Sequence, residues 1–355
     1  MSETLLMKGN EALGEAAVVA GCRYYFGYPI TPQSELIEYM AKRLPQLDGT
    51  FLQAESEVAA INMTYGAASA GARVMTSSSS PGISLKQEGI SYIAAAQLPC
   101  VIVNVMRGGP GLGGIQPGQA DYFQATKGGG HGDYHTLVLA PNSVQEMADL
   151  TIRAFNLADQ YRNPVMILVD GALGQMMEPV SFQECPVIAV EKPWAITGRG
   201  ERAAPNRINT VVLNPEGLEQ VNIRLQEKYA RLQERETCWE QAGTEDAELI
   251  LVAYGITARI AYSAMEMARA AGLKVGLFRP VTLWPFPKAA LAKAVANAAA
   301  VLTLELSAGQ MVEDVNLAIK CSKPVYFYGR TGGMLPKPGD IYGQIMTILA
   351  AKGGN

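Results

Sequence analysis

The chain has 355 residues, enough for two domains at ~150 residues each. Hydrophobic residues make up 48% and charged residues 17%, which excludes a disordered chain. Lys and Arg number 29 against 33 Asp and Glu, a net charge of −4, so there is no basic excess with which a dedicated nucleic-acid binder would neutralise phosphates.

In chain order, β-rich apolar runs fall at 23–26, 50–53, 73–76, 100–106, 136–139 and 165–169. Ala-rich helical patterns lie between them at 11–20, 32–43, 58–70, 83–96 and 143–159, with Pro32 near one start and Ser143 as a cap at another. The strand runs are continuously apolar, the mark of a parallel sheet covered on both faces. Residues 177–215 are rich in Pro, Gly and Asn and carry no helical period. Residues 216–248 are densely charged, with Leu218, Val221, Leu225 and Leu232 at helical spacing, which predicts one long surface helix that packs an edge or bridges domains. A second α/β unit follows, with strands at 249–253, 274–278, 300–304 and 324–328 and helices at 258–271, 287–298 and 310–321. The expected fold is α/β: a doubly wound, mostly parallel sheet over residues 1–180, a linker with a long charged helix over 181–247, and a smaller α/β domain over 248–355.

The five cysteines, Cys22, Cys100, Cys185, Cys238 and Cys321, are scattered and form no CxxC, which argues against an iron–sulfur or zinc site and for a reducing compartment. The N-terminal segment lacks the pattern of a signal peptide, and no uncharged apolar run approaches the ~20 residues of a membrane span, so the expected location is the cytoplasm, away from membranes.

Ligands of doubly wound sheets sit beyond the carboxyl ends of the strands. Four segments would meet there: Gly27-Tyr28-Pro29-Ile30-Thr31-Pro32, Ala54-Glu55-Ser56-Glu57, Ser77-Ser78-Ser79-Ser80-Pro81-Gly82 and Arg107-Gly108-Gly109-Pro110-Gly111. Each also has an ordinary reading. Glu57 would complement a helix dipole, Arg107 would pair with a structural carboxylate, and the serines would cap a helix. Against these stand anion binding by the planar Arg107 fork and a cofactor contact by the serines. Gly109-Pro110-Gly111-Leu112-Gly113-Gly114 matches GxGxxG, but no helix opens after it, so the dinucleotide context fails; there is no P-loop. His131 and His135 stand in a Gly-rich loop without the partners of a metal site, so no metal ligand is expected in this chain.

As an ordered set, Tyr28-Pro29-Ile30-Thr31-Pro32, Glu55-Ser56-Glu57, Pro81-Gly82-Ile83-Ser84-Leu85 and Arg107-Gly108-Gly109-Pro110 resemble the 2-oxoacid:ferredoxin oxidoreductases. These are thiamine-diphosphate enzymes that convert a 2-oxoacid and CoA to acyl-CoA and CO2 and reduce ferredoxin. Arg279-Pro280-Val281-Thr282-Leu283-Trp284-Pro285-Phe286-Pro287 and Glu305-Leu306-Ser307-Ala308-Gly309-Gln310 resemble the family's transketolase-like C-terminal domain. The closest resemblance is to the alpha-type, pyrimidine-binding subunit of the 2-oxoisovalerate or 2-oxoglutarate members.

The resemblance implies roles. Glu57 would bind the aminopyrimidine ring and govern its protonation, with Glu55 as the rival two residues earlier; the spacing to Gly66 favours Glu57. Thr31 and Arg107 would hold the 2-oxoacid, the hydroxyl at the keto group and the guanidinium at the carboxylate. Tyr28, Pro29, Ser80 and Gly82 would line the cofactor. The chain departs from the family pattern at Ser79-Ser80-Pro81-Gly82, where many members read Ser-Gly-Pro-Gly, and at Ser307, where many have Asn. It carries no GDG…N motif, since Val169-Asp170-Gly171-Ala172 lacks the downstream Asn, and no cysteine cluster. The diphosphate, its Mg²⁺ and the iron–sulfur clusters are therefore expected on partner chains: a diphosphate-binding beta-type subunit, a gamma-type subunit and a ferredoxin-like iron–sulfur subunit, in a hetero-oligomer that dimerises. Two other readings compete: the pyrimidine-side subunit of a lipoyl-transferring 2-oxoacid dehydrogenase or other transketolase-like enzyme, and a non-catalytic scaffold that kept the fold.

Overall fold

The computed structural model describes residues 4–182, 188 and 190–353; the remainder of the predicted connection at 183–187 and 189, with Cys185, lies outside them. The chain opens with β1 (Thr4–Lys8) and α1 (Gly9–Val19). It continues through β2 (Tyr24–Gly27), α2 (Ser34–Arg43), β3 (Thr50–Gln53), α3 (Glu57–Ser69), β4 (Val74–Ser78), α4 (Ser80–Ala95) and β5 (Cys100–Met106). After a long loop come α5 (Tyr122–Thr126), β6 (Leu137–Leu139), α6 (Val144–Tyr161), β7 (Pro164–Asp170), α7 (Gly171–Gln175) and β8 (Met177–Ser181). The second half holds α8 (Pro215–Arg235), β9 (Trp239–Ala242), β10 (Leu249–Val252), α9 (Gly255–Ala270), β11 (Val275–Pro280), β12 (Thr282–Trp284), α10 (Lys288–Ala294), β13 (Ala300–Glu305), α11 (Met311–Ala318), β14 (Val325–Gly329) and α12 (Pro338–Gly353).

The large sheet has seven strands in the order β12-β6-β7-β5-β4-β2-β3. All its pairs are parallel except β12 with β6. Every residue of β4, β5 and β7 is buried, as their apolar runs require of central strands covered on both faces. After β2 the chain crosses to β3 on one side, and after β4 it crosses to β5 on the other, so the crevice of a doubly wound sheet opens where β2 and β4 lie side by side. The smaller sheet has the order β14-β13-β10-β11-β9, parallel but for β9. No helix among the described residues is long and apolar enough to cross a membrane.

Polar side chains of the first domain stitch the two sheets together. Gln119 donates from Nε2 to the Tyr254 carbonyl at 2.9 Å, and its Oε1 accepts from the Leu306 amide at 3.0 Å and the Thr257 hydroxyl at 3.1 Å. The Asp170 carboxylate accepts from Leu173 N at 3.1 Å and Ile256 N at 2.9 Å, which caps a helix in each domain. Buried Arg279 reaches Glu146 of α6 with both terminal nitrogens, at 2.9 and 2.6 Å.

Several elements differ from the sequence reading. The charged helix predicted over 216–248 ends at Arg235, because the chain turns to pair β9 antiparallel with β11. Leu225, Tyr229 and Leu232 of α8 are buried, and the Tyr229 ring packs on Trp284 and His135, so the helix covers the β6–β12 edge. The segment at 282–284 forms β12 of the large sheet, not part of the smaller one. Pro32 stands outside α2: its carbonyl accepts from Asn10 at 2.8 Å and Gln175 at 3.1 Å, and the helix begins at Ser34. The antiparallel pair β1–β8 and helix α12 have no counterpart in the sequence reading.

Candidate functional site

The four loops lie at the carboxyl ends of β2, β3, β4 and β5. After β3, Ser56 caps α3 by accepting from Ala59 N at 3.2 Å. This makes Glu57 the first helical residue and buries it to 5% exposure, whereas Glu55 is exposed. Among the described residues no hydrogen bond reaches the Glu57 carboxylate. The residue is buried as a whole, yet its carboxylate oxygens are not among the fully buried polar atoms left without a partner, so the carboxylate keeps an open side at the sheet end. Beside it, a Cβ added to Gly82 would overlap Ser78 Oγ and stand 2.5 Å from Glu57 Oε1, so glycine keeps that space clear.

The serines do not cap α4. Ser79 is the N-cap residue but its hydroxyl makes no bond, and Ser78 Oγ is also buried without a partner. Gln33 Nε2 is a third such orphan. Beneath them Lys86 of α4 is fully buried and donates to Thr76 Oγ1 at 2.5 Å and Ser77 O at 2.9 Å. Burial pushes its ammonium down to about 7, against the opposing pull of Glu57 and Cys100. Burial pushes the Cys22 and Cys100 thiols up to about 12, which leaves neither a nucleophile at neutral pH.

Arg107 directly follows β5 and is 7% exposed. Its Nη1 donates to the Thr31 carbonyl at 2.9 Å and its Nη2 to the Leu112 carbonyl at 2.9 Å, while its Nε is buried with no partner. No carboxylate pairs with it among the described residues, so it is not the structural ion pair that the sequence left open. The link to Thr31 runs through the main chain, and the Thr31 residue itself is exposed. The glycine loop folds back on itself, with Gly108 N to Gln116 O at 2.8 Å and Gly114 N to Gly108 O at 2.8 Å, and no helix follows directly, so the GxGxxG match has no dinucleotide geometry.

A cavity of about 410 Å³ is lined by Ser80, Pro81, Ser84, the 107–111 loop and Asp121. Arg107 is its single cationic lining residue among the described ones. The structure thus brings Arg107, Ser80 and the Thr31 backbone together, and places Glu57 against Gly82, next to the cavity wall at Pro81. Tyr28 and Pro29 are exposed and do not line the cavity. Two larger clefts of about 590 Å³ each lie elsewhere, one beside Trp239 and Trp284 and one beside Arg162 and Trp194. Neither borders Glu57 or Arg107. Sequence reasoning missed Asn104, Lys86 and Asp121. Asn104 was detectable as a polar residue inside an apolar run; Lys86 stands among polar neighbours of a helix and Asp121 in a loop, with no pattern to betray either.

A doubly wound parallel sheet with a buried acid and an arginine without a carboxylate partner at its crevice defines the α/β class of this chain. A family model described as pyruvate flavodoxin/ferredoxin oxidoreductase, thiamine-diphosphate binding, matches residues 15–241, and one described as pyruvate:ferredoxin oxidoreductase core domain II matches residues 247–341. The chain is 53% identical to the ketoisovalerate oxidoreductase subunit VorB of Methanothermobacter marburgensis, over 97% of this chain and 98% of that one. It is 36% identical to the 2-oxoglutarate synthase subunit KorA of Methanothermobacter thermautotrophicus, over 98% of this chain and 100% of that one. Among solved structures, the 2-oxoglutarate:ferredoxin oxidoreductase from Magnetococcus marinus, with 2-oxoglutarate, coenzyme A and succinyl-CoA bound, superposes with a TM-score of 0.85 at 27% identity. The match covers 98% of this chain and 65% of that one, so the present chain spans a little under two thirds of its length. A split-gene transketolase, at 14% identity and a TM-score of 0.60, shares the fold alone.

The chain belongs to the 2-oxoacid:ferredoxin oxidoreductase family, as its four loops and C-terminal motifs led us to expect.

Proposed function

We propose that this chain is the pyrimidine-binding subunit of a 2-oxoisovalerate:ferredoxin oxidoreductase, forming acyl-CoA and CO2 from the 2-oxoacid and CoA. The observation that carries this is that Glu57, 5% exposed and with no protein donor on its carboxylate among the described residues, and Arg107, with an orphaned Nε, stand at the carboxyl end of the same sheet. The orphaned Ser78 and Ser79 hydroxyls and the space kept clear at Gly82 fit the polar edge of an aminopyrimidine. When bound, thiamine diphosphate supplies the carbon nucleophile and electron sink that decarboxylation of a 2-oxoacid requires.

The residues of this chain do the rest. Glu57 holds a hydrogen bond to a ring nitrogen through a carboxyl oxygen and so sets where that ring carries its proton. Ser80 and Gly82 shape the adjoining wall. Arg107 receives the substrate carboxylate on its free Nε–H edge, with the Thr31 carbonyl fixing the guanidinium and the Thr31 hydroxyl at the keto oxygen. A single lining cation suits a monocarboxylate, and the higher identity to the ketoisovalerate relative than to the 2-oxoglutarate one points the same way. Tyr28 follows β2, Val58 follows Glu57 in α3 and Leu85 lies in α4, and all three expose large apolar side chains of the kind a partner covers. We assign that partner as the subunit that carries the diphosphate and its Mg²⁺, with gamma-type and iron–sulfur subunits completing a cytoplasmic complex.

The test is to purify the chain with its co-expressed partners and assay a panel of 2-oxoacids with CoA and either ferredoxin or lipoamide. The expected result is ferredoxin reduction that is fastest with 2-oxoisovalerate. Transfer to lipoamide without ferredoxin reduction would sink this reading.

A further inference from the structure

Arg107 is held in place by a residue outside every motif considered so far. Asp121 Oδ2 accepts from Ser80 Oγ at 2.6 Å and from Asn104 Nδ2 at 2.9 Å. With its proton committed to Asp121, Ser80 Oγ accepts the Arg107 main-chain N–H at 3.1 Å. Asn104 Oδ1 accepts from Ser80 N at 3.1 Å. One carboxylate thereby ties together the end of β5, the first turn of α4 and the backbone of Arg107, and it lines the same cavity. Burial raises the Asp121 carboxyl above the usual range, opposed by the Ser80 and Asn104 donors, so these bonds hold a desolvated group.

The residues around Asp121 are fixed from the second domain. Gln310 Nε2 donates to the Ala120 carbonyl at 2.7 Å, and Gln310 Oε1 accepts from Phe123 N at 2.8 Å. Tyr122 donates to Asp314 Oδ2 at 2.6 Å, and Gln119 N donates to the Leu306 carbonyl at 2.8 Å. A loop of the second domain also touches the glycine loop, Gly333 N lying 3.5 Å from where a Gly108 Cβ would stand.

We propose that Asp121 is a positioning residue for 2-oxoacid binding, through which the second domain aligns Ser80 and the Arg107 main chain. This rests on the reading of Arg107 as the carboxylate-binding group. The second domain would then contribute to substrate affinity without touching the substrate, and substrate affinity would depend on Gln310 as well as on the pocket itself.

The experiment uses the assembled complex with Asp121→Ala, Asp121→Asn, Gln310→Ala and Arg107→Ala. Steady-state kinetics are run separately against 2-oxoisovalerate and CoA, beside a melting curve. Asp121→Ala is expected to raise KM for the 2-oxoacid about tenfold, on the scale of a lost charged hydrogen bond, with KM for CoA unchanged. Asp121→Asn keeps an acceptor oxygen for Ser80 and recovers most of that loss. Gln310→Ala raises the same KM about threefold, and carries the test should Asp121→Ala fail to assemble. An unchanged 2-oxoacid KM in the Asp121 and Gln310 variants, with a raised KM in Arg107→Ala, overturns the role of Asp121 alone. An unchanged KM in Arg107→Ala overturns the reading beneath it as well. A parallel rise in both KM values with a lowered melting point marks Asp121 as merely structural and also overturns the proposal.

Discussion

Glu57 and Glu55 stand two residues apart in one loop, yet the fold treats them oppositely. The Ser56 cap starts α3 at Glu57 and turns that side chain inward, while Glu55 stays in solvent. Glu57→Gln keeps the size and the burial but removes the acid. We expect an assembled complex whose turnover falls by ~10²–10⁴, the usual worth of an acid–base group, with slowed exchange of the thiamine C2 proton measured by NMR. Glu55→Gln should leave both quantities near wild type. The reverse pattern would move the assignment to Glu55. Part of this was legible beforehand: the acid, the arginine and the small-residue loops were placed by the rule that ligands meet the carboxyl ends of parallel strands. The hydrogen-bond network was not. Asn104, Ser80 and Asp121 come together only once β5, α4 and the loop before α5 are folded.

At the scale of elements, central strands were readable because both faces are buried and the apolar run is unbroken; the predicted span 100–106 is β5. Two of the strands that were not read, β9 and β12, are short and lie at edges. β9 and β12 owe their existence to antiparallel partners distant in sequence, β11 and β6, and no local period announces them. Trp284 on β12 shows what such an edge is for. Its indole stacks on His135 at 4.4 Å and meets the Tyr229 ring edge-on at 5.6 Å, joining β12, the loop before β6 and α8. Trp284→Ala would remove the centre of this cluster. Large-to-small aromatic truncations in cores cost ~3–5 kcal/mol, and that loss in a chemical denaturation of the purified complex is the expected result. A change below ~1 kcal/mol would mean that α8 is held by other contacts.

At the scale of the molecule, the second domain's first helix is capped by the first domain. Asp170 reaches Ile256 N at the start of α9 while it caps α7 within its own domain. Gly255 has φ +58, and a Cβ there would stand 2.8 Å from Asp170 Oδ2, so glycine permits the close approach. The site residues depend on this junction, because the loop carrying Gln119 and Asp121 lies beside it, with Gln119 Nε2 also 2.8 Å from that Cβ position. Asp170 is fully buried with no cation beside it among the described residues, and burial pushes its carboxyl up to about 6, with the capping N–H groups pulling the other way. The folded value lies above the 3.8 of an ordinary aspartate, so between pH ~4 and ~6 the folded chain holds a proton that the unfolded chain has released. The contribution of Asp170 to stability is therefore fully present below pH ~4 and declines as pH rises to ~6, then stays level. Asp170→Asn cannot ionise and should lack this dependence. It also sets an amide NH2 against a backbone N–H, leaving one cap donor unpaired at a cost of ~1–3 kcal/mol. Denaturation of both proteins at several pH values between 4 and 7 should show the wild-type advantage shrinking across that window. A difference that holds constant with pH would mean that Asp170 ionises in the folded chain as readily as in the unfolded one.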